Sequence, residues 1–206
     1  ILAALADPRS LRYDPQPRGP LEARQAVAAY YAERALNVDS ERIFLTTSTS
    51  EAYANVFRLL ANAGDNILVP SPGYPLFDFL GRLHDLELIS YPLLYNHGWH
   101  IDLETLRARI NARTRAILIV HPNNPTGSFV KKGELESLLD CCRERSLALV
   151  VDEVFADYAF ATDESRVVSH AGVSDAPTFT LSGLSKISAL PQMKLAWIVV
   201  SGPEAL

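Results

Sequence analysis

The sequence predicts an α/β fold: a three-layer sandwich whose mostly parallel central sheet is covered by helices on both faces. Runs of about five apolar residues alternate with longer amphipathic stretches, the pattern of repeated strand and helix units. Two of these runs, Ala116-Ile117-Leu118-Ile119-Val120 and Leu147-Ala148-Leu149-Val150-Val151, are apolar throughout, so neither has a wet face. Hydroxyl, amide, carboxylate and lysine groups gather where such runs end. In open α/β sheets that is where ligands bind.

In chain order, Tyr13 to Pro20 is a Pro/Gly-rich loop. Leu21 to Leu36 reads as an amphipathic helix, with Ala23, Val27, Tyr30 and Tyr31 on one face. Arg42 to Thr46 is a short strand, and Thr47-Ser48-Thr49-Ser50-Glu51-Ala52 turns into a helix over about Ser50 to Ala63. Thr49 is the expected N-cap, with Glu51 suited to the first turn. Asn66 to Pro70 is a strand, followed by a Pro-flanked turn around Tyr74 and a helix to about His84. A strand at Leu86 to Ser90 and a helix at Leu103 to Ile110 precede the first fully apolar strand. That strand stops at His121-Pro122-Asn123-Asn124-Pro125-Thr126-Gly127, a dense turn signal. Lys132 to Arg145 is a charged amphipathic helix, and the second fully apolar strand ends in Asp152-Glu153. Thr178 to Leu181 and Trp197 to Val200 are the last strands. No repeat or low-complexity linker divides the 206 residues, so one domain is expected.

A composition of 48% hydrophobic and 21% charged residues suits a globular chain with a sizeable core. The net charge of -5, without a Lys/Arg run, gives no indication of a nucleic-acid or anionic-membrane surface. No apolar run approaches the roughly 20 residues of a membrane span, and no signal peptide is evident. The only cysteines, Cys141 and Cys142, are neighbours in a helix and are read as packing residues, which favours a reducing, cytoplasmic setting. The chain starts without Met in a helix-like piece and stops at Gly202-Pro203-Glu204-Ala205-Leu206, the first turn of another helix. Both ends read as cut, so residues 1–206 are expected to be part of a longer protein.

The chemistry lies at four strand ends and one turn. Leu181-Ser182-Gly183-Leu184-Ser185-Lys186 presents a lysine among small residues, and Lys194 follows. A lysine on a rigid turn suits Schiff-base chemistry. Thr47-Ser48-Thr49, between a strand and a helix start, offers backbone N–H groups and hydroxyls to a phosphate, or serves as an ordinary cap. Asn124, in Asn-Pro-Thr-Gly, offers an amide donor or belongs to a plain loop. Asp152 follows five apolar residues and needs a cationic partner, a salt bridge or a cap, or its pKa rises. Tyr74 stacks on a planar ring or packs on the protein. Together they make a phosphate cradle, a ring stack, a donor to a ring oxygen, an acid for a ring nitrogen and an imine lysine, the set that pyridoxal phosphate requires.

Their order and spacing resemble the large domain of fold-type I pyridoxal-phosphate enzymes, in particular the class I/II aminotransferases. The resemblance runs from about Tyr13 to Val200. It is most specific at Asn124-Pro125-Thr126-Gly127, Asp152-Glu153-Val154-Phe155 and Ser185-Lys186. It implies that Lys186 forms the Schiff base and shuttles a proton, Asp152 keeps the pyridine nitrogen protonated, and Asn124 donates to the phenolic oxygen. Tyr74 would stack on the ring, and Ser48, Thr49, Ser185 and Lys194 would hold the phosphate. Tyr13 resembles a tyrosine that reaches the phosphate of a neighbouring subunit, which implies a homodimer. The implied reaction is amino transfer between an amino acid and a 2-oxo acid. The resemblance also implies a small domain, with the arginine for the substrate carboxylate, beyond Leu206.

Three positions depart from the family pattern. Phe155 stands where tyrosine is common, Lys194 where arginine binds phosphate, and Gly183 where a phosphate-binding serine is frequent. Two other readings compete. A relative using the same cofactor for C–S lysis or decarboxylation shares this large domain. An aminotransferase-like effector domain of a transcription regulator shares its fold.

Overall fold

Eight strands form one sheet in the order β1-β8-β7-β6-β5-β2-β3-β4. They are β1 (Ile43–Thr46), β2 (Asn66–Ser71), β3 (Glu87–Tyr95), β4 (Trp99–Ile101), β5 (Thr114–Val120), β6 (Ala148–Asp152), β7 (Thr178–Gly183) and β8 (Ala196–Ser201). The computed structural model describes residues 2–161, 163–173 and 175–203. The run β7-β6-β5-β2-β3 is parallel; β8 is antiparallel to β7, β1 to β8, and β4 to β3. The expected α/β class and largely parallel sheet are what the chain adopts. Of the helix start expected over residues 202–206, residues 204–206 lie outside the described residues.

The helices are α1 (Leu2–Leu5), α2 (Leu21–Ala32), α3 (Thr49–Leu60), α4 (Leu76–Leu83), α5 (Leu103–Arg109), α6 (Lys132–Arg145) and α7 (Leu184–Ile187). Strand alternation sorts the core into two sides. Leu118, Val150, Leu181 and Ile198 pack toward α3 and α4, with Val56, Phe57, Phe77 and Leu80. Ile117, Ile119, Leu149 and Val151 face the other way, onto Leu106 of α5 and Leu138 and Cys142 of α6. Trp197 and Val199 meet Val27 and Tyr31 of α2. Each buried aliphatic side chain in such a core stabilises the fold by about 1.5–3 kcal/mol. Cys141 and Cys142 are buried free thiols in the α6 interface, as the packing reading expects.

Four local expectations need correction. Helix α2 stops at Ala32, because Ala35 takes a left-handed conformation (φ 59°) and turns the chain back so that Leu36 and Val38 cover Tyr31. The N-cap of α3 is Ser48, not Thr49: Ser48 Oγ accepts from the Glu51 N–H at 3.1 Å. Strand β3 runs on to Tyr95 and folds back onto β4, three residues too few to show an alternation of their own. Lys186 sits in the one-turn helix α7 rather than in a non-helical turn.

Candidate active site

At the carboxyl ends of the parallel strands lies a cleft of about 410 Å³. Its lining includes Ser48, Thr49, Tyr74, Asn124, Asp152, Ser185, Lys186 and Lys194, so residues spread over more than 140 positions of sequence meet in one place. Tyr13 does not join them: it is 91% exposed and absent from the lining.

Asp152 is the buried anchor of the cleft. As the last residue of β6 it continues the side of Val150, toward α3. There the Tyr53 hydroxyl donates to Oδ2 at 2.7 Å, and the Val154 N–H donates to Oδ1 at 3.0 Å. Among the described residues no cationic side chain pairs with it. Burial pushes its carboxyl above the ordinary value, and the Val154 N–H and Tyr53 hydroxyl offset only part of that. Of the alternatives open in the sequence, the salt bridge is therefore excluded. Tyr53, three residues into α3 from the hydroxyl cluster, was missed; its only sequence signal is a tyrosine among the apolar residues of an amphipathic helix.

The amino end of α3 forms one wall. Ser48 Oγ caps the helix with a lone pair, which leaves its O–H free to donate. Glu51 reaches back and accepts from the Thr47 N–H at 2.6 Å and the Thr47 hydroxyl at 2.7 Å. These two bonds hold Glu51 below its ordinary pKa; burial works against them, and the charge of Lys194 adds a lesser lowering effect. Lys194, left-handed at φ 50°, brings its ammonium to the same wall.

Lys186 faces the cleft from α7, with Nζ 5.6 Å from the centroid of the Phe155 ring. Tyr158 fastens that helix: its hydroxyl donates to the Lys186 carbonyl at 2.9 Å, and its ring meets Phe155 edge-on at 5.7 Å. Tyr158 carried no sequence signal. Tyr74 also lines the cleft, 44% exposed and edge-on to Phe77 at 6.1 Å. Neighbouring Asn123 supports the Asn124 loop, its Nδ2 donating to the Pro72 carbonyl at 3.2 Å and to Thr126 Oγ1 at 2.9 Å.

Gly183 has a structural reason. A Cβ there would lie 2.8 Å from Ala196 Cβ, 2.9 Å from Ala196 Cα and 2.9 Å from the Leu195 carbonyl. The close approach of β7 and β8 requires glycine, whatever ligand binds.

The residues fit a phosphorylated pyridine cofactor. A twelve-residue helix directs its positive end at the wall that carries Ser48, Thr49 and Lys194, which suits a phosphate. A buried carboxylate with no cationic partner among the described residues suits a protonated ring nitrogen, and the exposed primary amine of Lys186 in the same cleft suits a Schiff base.

Comparison with known proteins leads to the same place. Residues 3–205 match the model of the family described as aminotransferase class I and II. Tyrosine aminotransferase of Dictyostelium discoideum is 33% identical over 179 residues, 86% of this chain and 42% of that protein. Glutamate-pyruvate aminotransferase of Escherichia coli is 31% identical over 188 residues, 91% of this chain and 46% of that protein. S-alkyl-thiohydroximate lyase of Arabidopsis thaliana is 33% identical over 189 residues, 91% of this chain and 41% of that protein. The chain thus spans less than half the length of these relatives. The structure of an alanine aminotransferase from Pyrococcus furiosus superposes with a TM-score of 0.87 at 27% identity, over 98% of this chain and 51% of that one. By sequence match and by fold, the chain belongs to the class I and II aminotransferase family.

Proposed function

We propose that this chain is the cofactor-binding large domain of a longer pyridoxal-phosphate-dependent aminotransferase, which moves an amino group from an amino acid to a 2-oxo acid. The observation that carries the reading is that the Lys186 amine and the cation-free Asp152 carboxylate line one cleft with the amino end of α3. The aminotransferases among its relatives support it.

Pyridoxal phosphate, when bound, supplies a carbon that condenses with amines and a ring that accepts electrons from the substrate Cα. Lys186 Nζ would be the nucleophile that holds the cofactor and the base that moves the substrate Cα proton. The Asp152 carboxylate would hold the proton of the ring nitrogen; burial, which disfavours a lone carboxylate, makes that cation a favoured partner. Asn124 would donate its amide to the phenolic oxygen. Tyr74 would cover one ring face and exclude water from it. Ser48, Thr49, Ser185 and Lys194 bind the phosphate, joined by Tyr13 of a partner subunit in a homodimer; the 91% exposure of Tyr13 leaves it available to a second copy. The buried free thiols suit a cytoplasmic protein.

Borohydride reduction of the full-length protein, followed by peptide mapping, tests the central assignment. A pyridoxyl adduct on Lys186 is expected; an adduct elsewhere, or none, removes it. Conversion of the bound cofactor to its amine form by an amino acid is expected of a transaminase. Release of pyruvate and ammonia instead would assign the chain to lyase chemistry, the activity named for the Arabidopsis relative.

A further inference from the structure

Behind the cleft, on the side of the sheet away from α3, three titratable side chains are buried together: Glu153, His170 and His121, 2%, 0% and 0% exposed. None of them lines the cleft. We propose that His170 is a positioning residue for Asp152: it anchors the Glu153 carboxylate, and through Glu153 it fixes how the end of β6 presents Asp152 to the cleft. This rests on the role given above to Asp152.

The strand pleat sends the two adjacent carboxylates apart. Asp152 reaches Tyr53 of α3, whereas Glu153 reaches Ser169 and His170. A buried carboxylate is costly unless it is hydrogen-bonded, and Glu153 receives three donors from a two-residue segment. They are the Ser169 hydroxyl at 2.6 Å, the His170 N–H at 2.7 Å and His170 Nδ1 at 2.8 Å. Burial opposes its ionisation, but the His170 bond, the electrostatic effect of the two histidines and the Ser169 bond together outweigh it and hold Glu153 below its ordinary pKa.

His170 is itself held by His121, whose ring meets it edge-on at 4.7 Å. The His121 ring is locked from both sides. The Val130 N–H donates to Nδ1 at 3.0 Å, so the proton sits on Nε2, which donates to the Val167 carbonyl at 2.9 Å. Burial, helped by His170, pushes its pKa down to about 3, so the ring stays neutral. The His121 backbone N–H then donates to the Asp152 carbonyl at 2.8 Å. The circuit closes: Asp152 to His121 by backbone, His121 to His170 by ring contact, His170 to Glu153 by hydrogen bond, and Glu153 to Asp152 by the chain. Asn124 follows His121 by three residues, so the circuit joins the two strand ends that carry Asp152 and Asn124.

The test measures binding of pyridoxamine 5′-phosphate, which has the same ring and phosphate but forms no Schiff base with Lys186, to the full-length protein. Asp152→Asn is expected to weaken binding; if it does not, the ring-nitrogen role of Asp152 falls and this proposal with it. His170→Leu, which keeps volume but removes the donor, is expected to weaken binding about tenfold, the size of an ordinary coupling between contacting groups. In an Asp152→Asn background the same change is expected to cost less than about twofold, because additivity fails where one residue acts through the other. His170→Asn, whose amide reproduces the Nδ1 donor, is expected to retain most of the affinity. Normal affinity in His170→Leu overturns the proposal. So does an equal loss in both backgrounds, which marks a general structural role. Should His170→Leu not fold, Glu153→Gln carries the same test with the same two overturning results.

Discussion

The Tyr53 hydroxyl in α3 donates to Asp152 Oδ2 at the end of β6 across 2.7 Å, and both groups are buried. It ties α3, whose amino end lines the proposed phosphate site, to β6, which carries the proposed acid for the ring nitrogen. The two halves of the proposed cofactor site are thereby one rigid piece before any ligand arrives. The same bond is not strong enough to undo the burial of Asp152, whose carboxyl stays above its ordinary pKa. Function and stability pull against each other at this residue.

Asp152→Asn should therefore stabilise the cofactor-free protein at neutral pH. The folded-state pKa of Asp152 is raised above its unfolded value of about 3.9. Its share of stability is fully present below that value and is lost as pH rises through the folded pKa. The asparagine variant is expected to melt higher than the parent at neutral pH, and the gap is expected to shrink as pH falls toward about 4. Thermal unfolding across pH checks it. A lower melting temperature for the variant at neutral pH would mean that the bonds from Val154 and Tyr53 outweigh the cost of burial.

Gly183→Ser should lower stability and leave the grip on phosphate unimproved. The added Cβ meets Ala196 and the Leu195 carbonyl at 2.8–2.9 Å, and two of those three atoms are backbone. Overpacking of this kind costs about 1–3 kcal/mol. Ala196→Gly in the same chain removes only the Cβ contact, so rescue is expected to be partial. Urea unfolding of the parent and the two variants measures the loss and the rescue.

Lys194→Ala should weaken pyridoxamine 5′-phosphate binding by about 1.5–3 kcal/mol, the worth of a hydrogen bond to a charged group. Unphosphorylated pyridoxamine should bind parent and variant alike. Lys194→Arg should bind the phosphate at least as tightly as the parent, since the guanidinium adds a bidentate fork. Titration calorimetry with both ligands separates phosphate recognition from ring recognition; an equal loss for both would place Lys194 elsewhere.

Phe155→Tyr should shift the spectroscopic titration of the loaded protein to lower pH. The Phe155 ring lies 5.6 Å from Lys186 Nζ and carries no hydroxyl to donate to the phenolic oxygen of the cofactor. A tyrosine hydroxyl there would stabilise that oxygen's negative charge and ease loss of the neighbouring proton. Absorbance against pH in both forms reads the difference; an equal or lower midpoint in the parent sinks the idea.

Much of the fold is legible in the chain because two signals are local. Five-residue apolar runs such as Leu147 to Val151 admit no wet face, and Gly, Pro and Asn mark the turns between elements. The cleft residues were legible for a related reason: Ser48, Asn124, Asp152 and Lys186 each stand at or just past a strand end, and a parallel sheet brings such ends to one edge. Strand β4 was not legible, since Trp99 to Ile101 owes its conformation to pairing with Leu93 to Tyr95.

The sequence by itself determined which side chains stand at the strand ends, and so which chemistry the edge of the sheet can hold. Only the tertiary structure decided their partners. Tyr53 meets Asp152 from 99 residues away and His170 meets Glu153 from 17, through hydrogen bonds that no periodicity encodes. Gly183 changed meaning for the same reason. Along the chain it was an absent hydroxyl; in the sheet it is the space that Ala196 needs. Pattern follows from the covalent repeat of strand and helix, whereas the pairing of buried polar groups depends on which surfaces packing brings together.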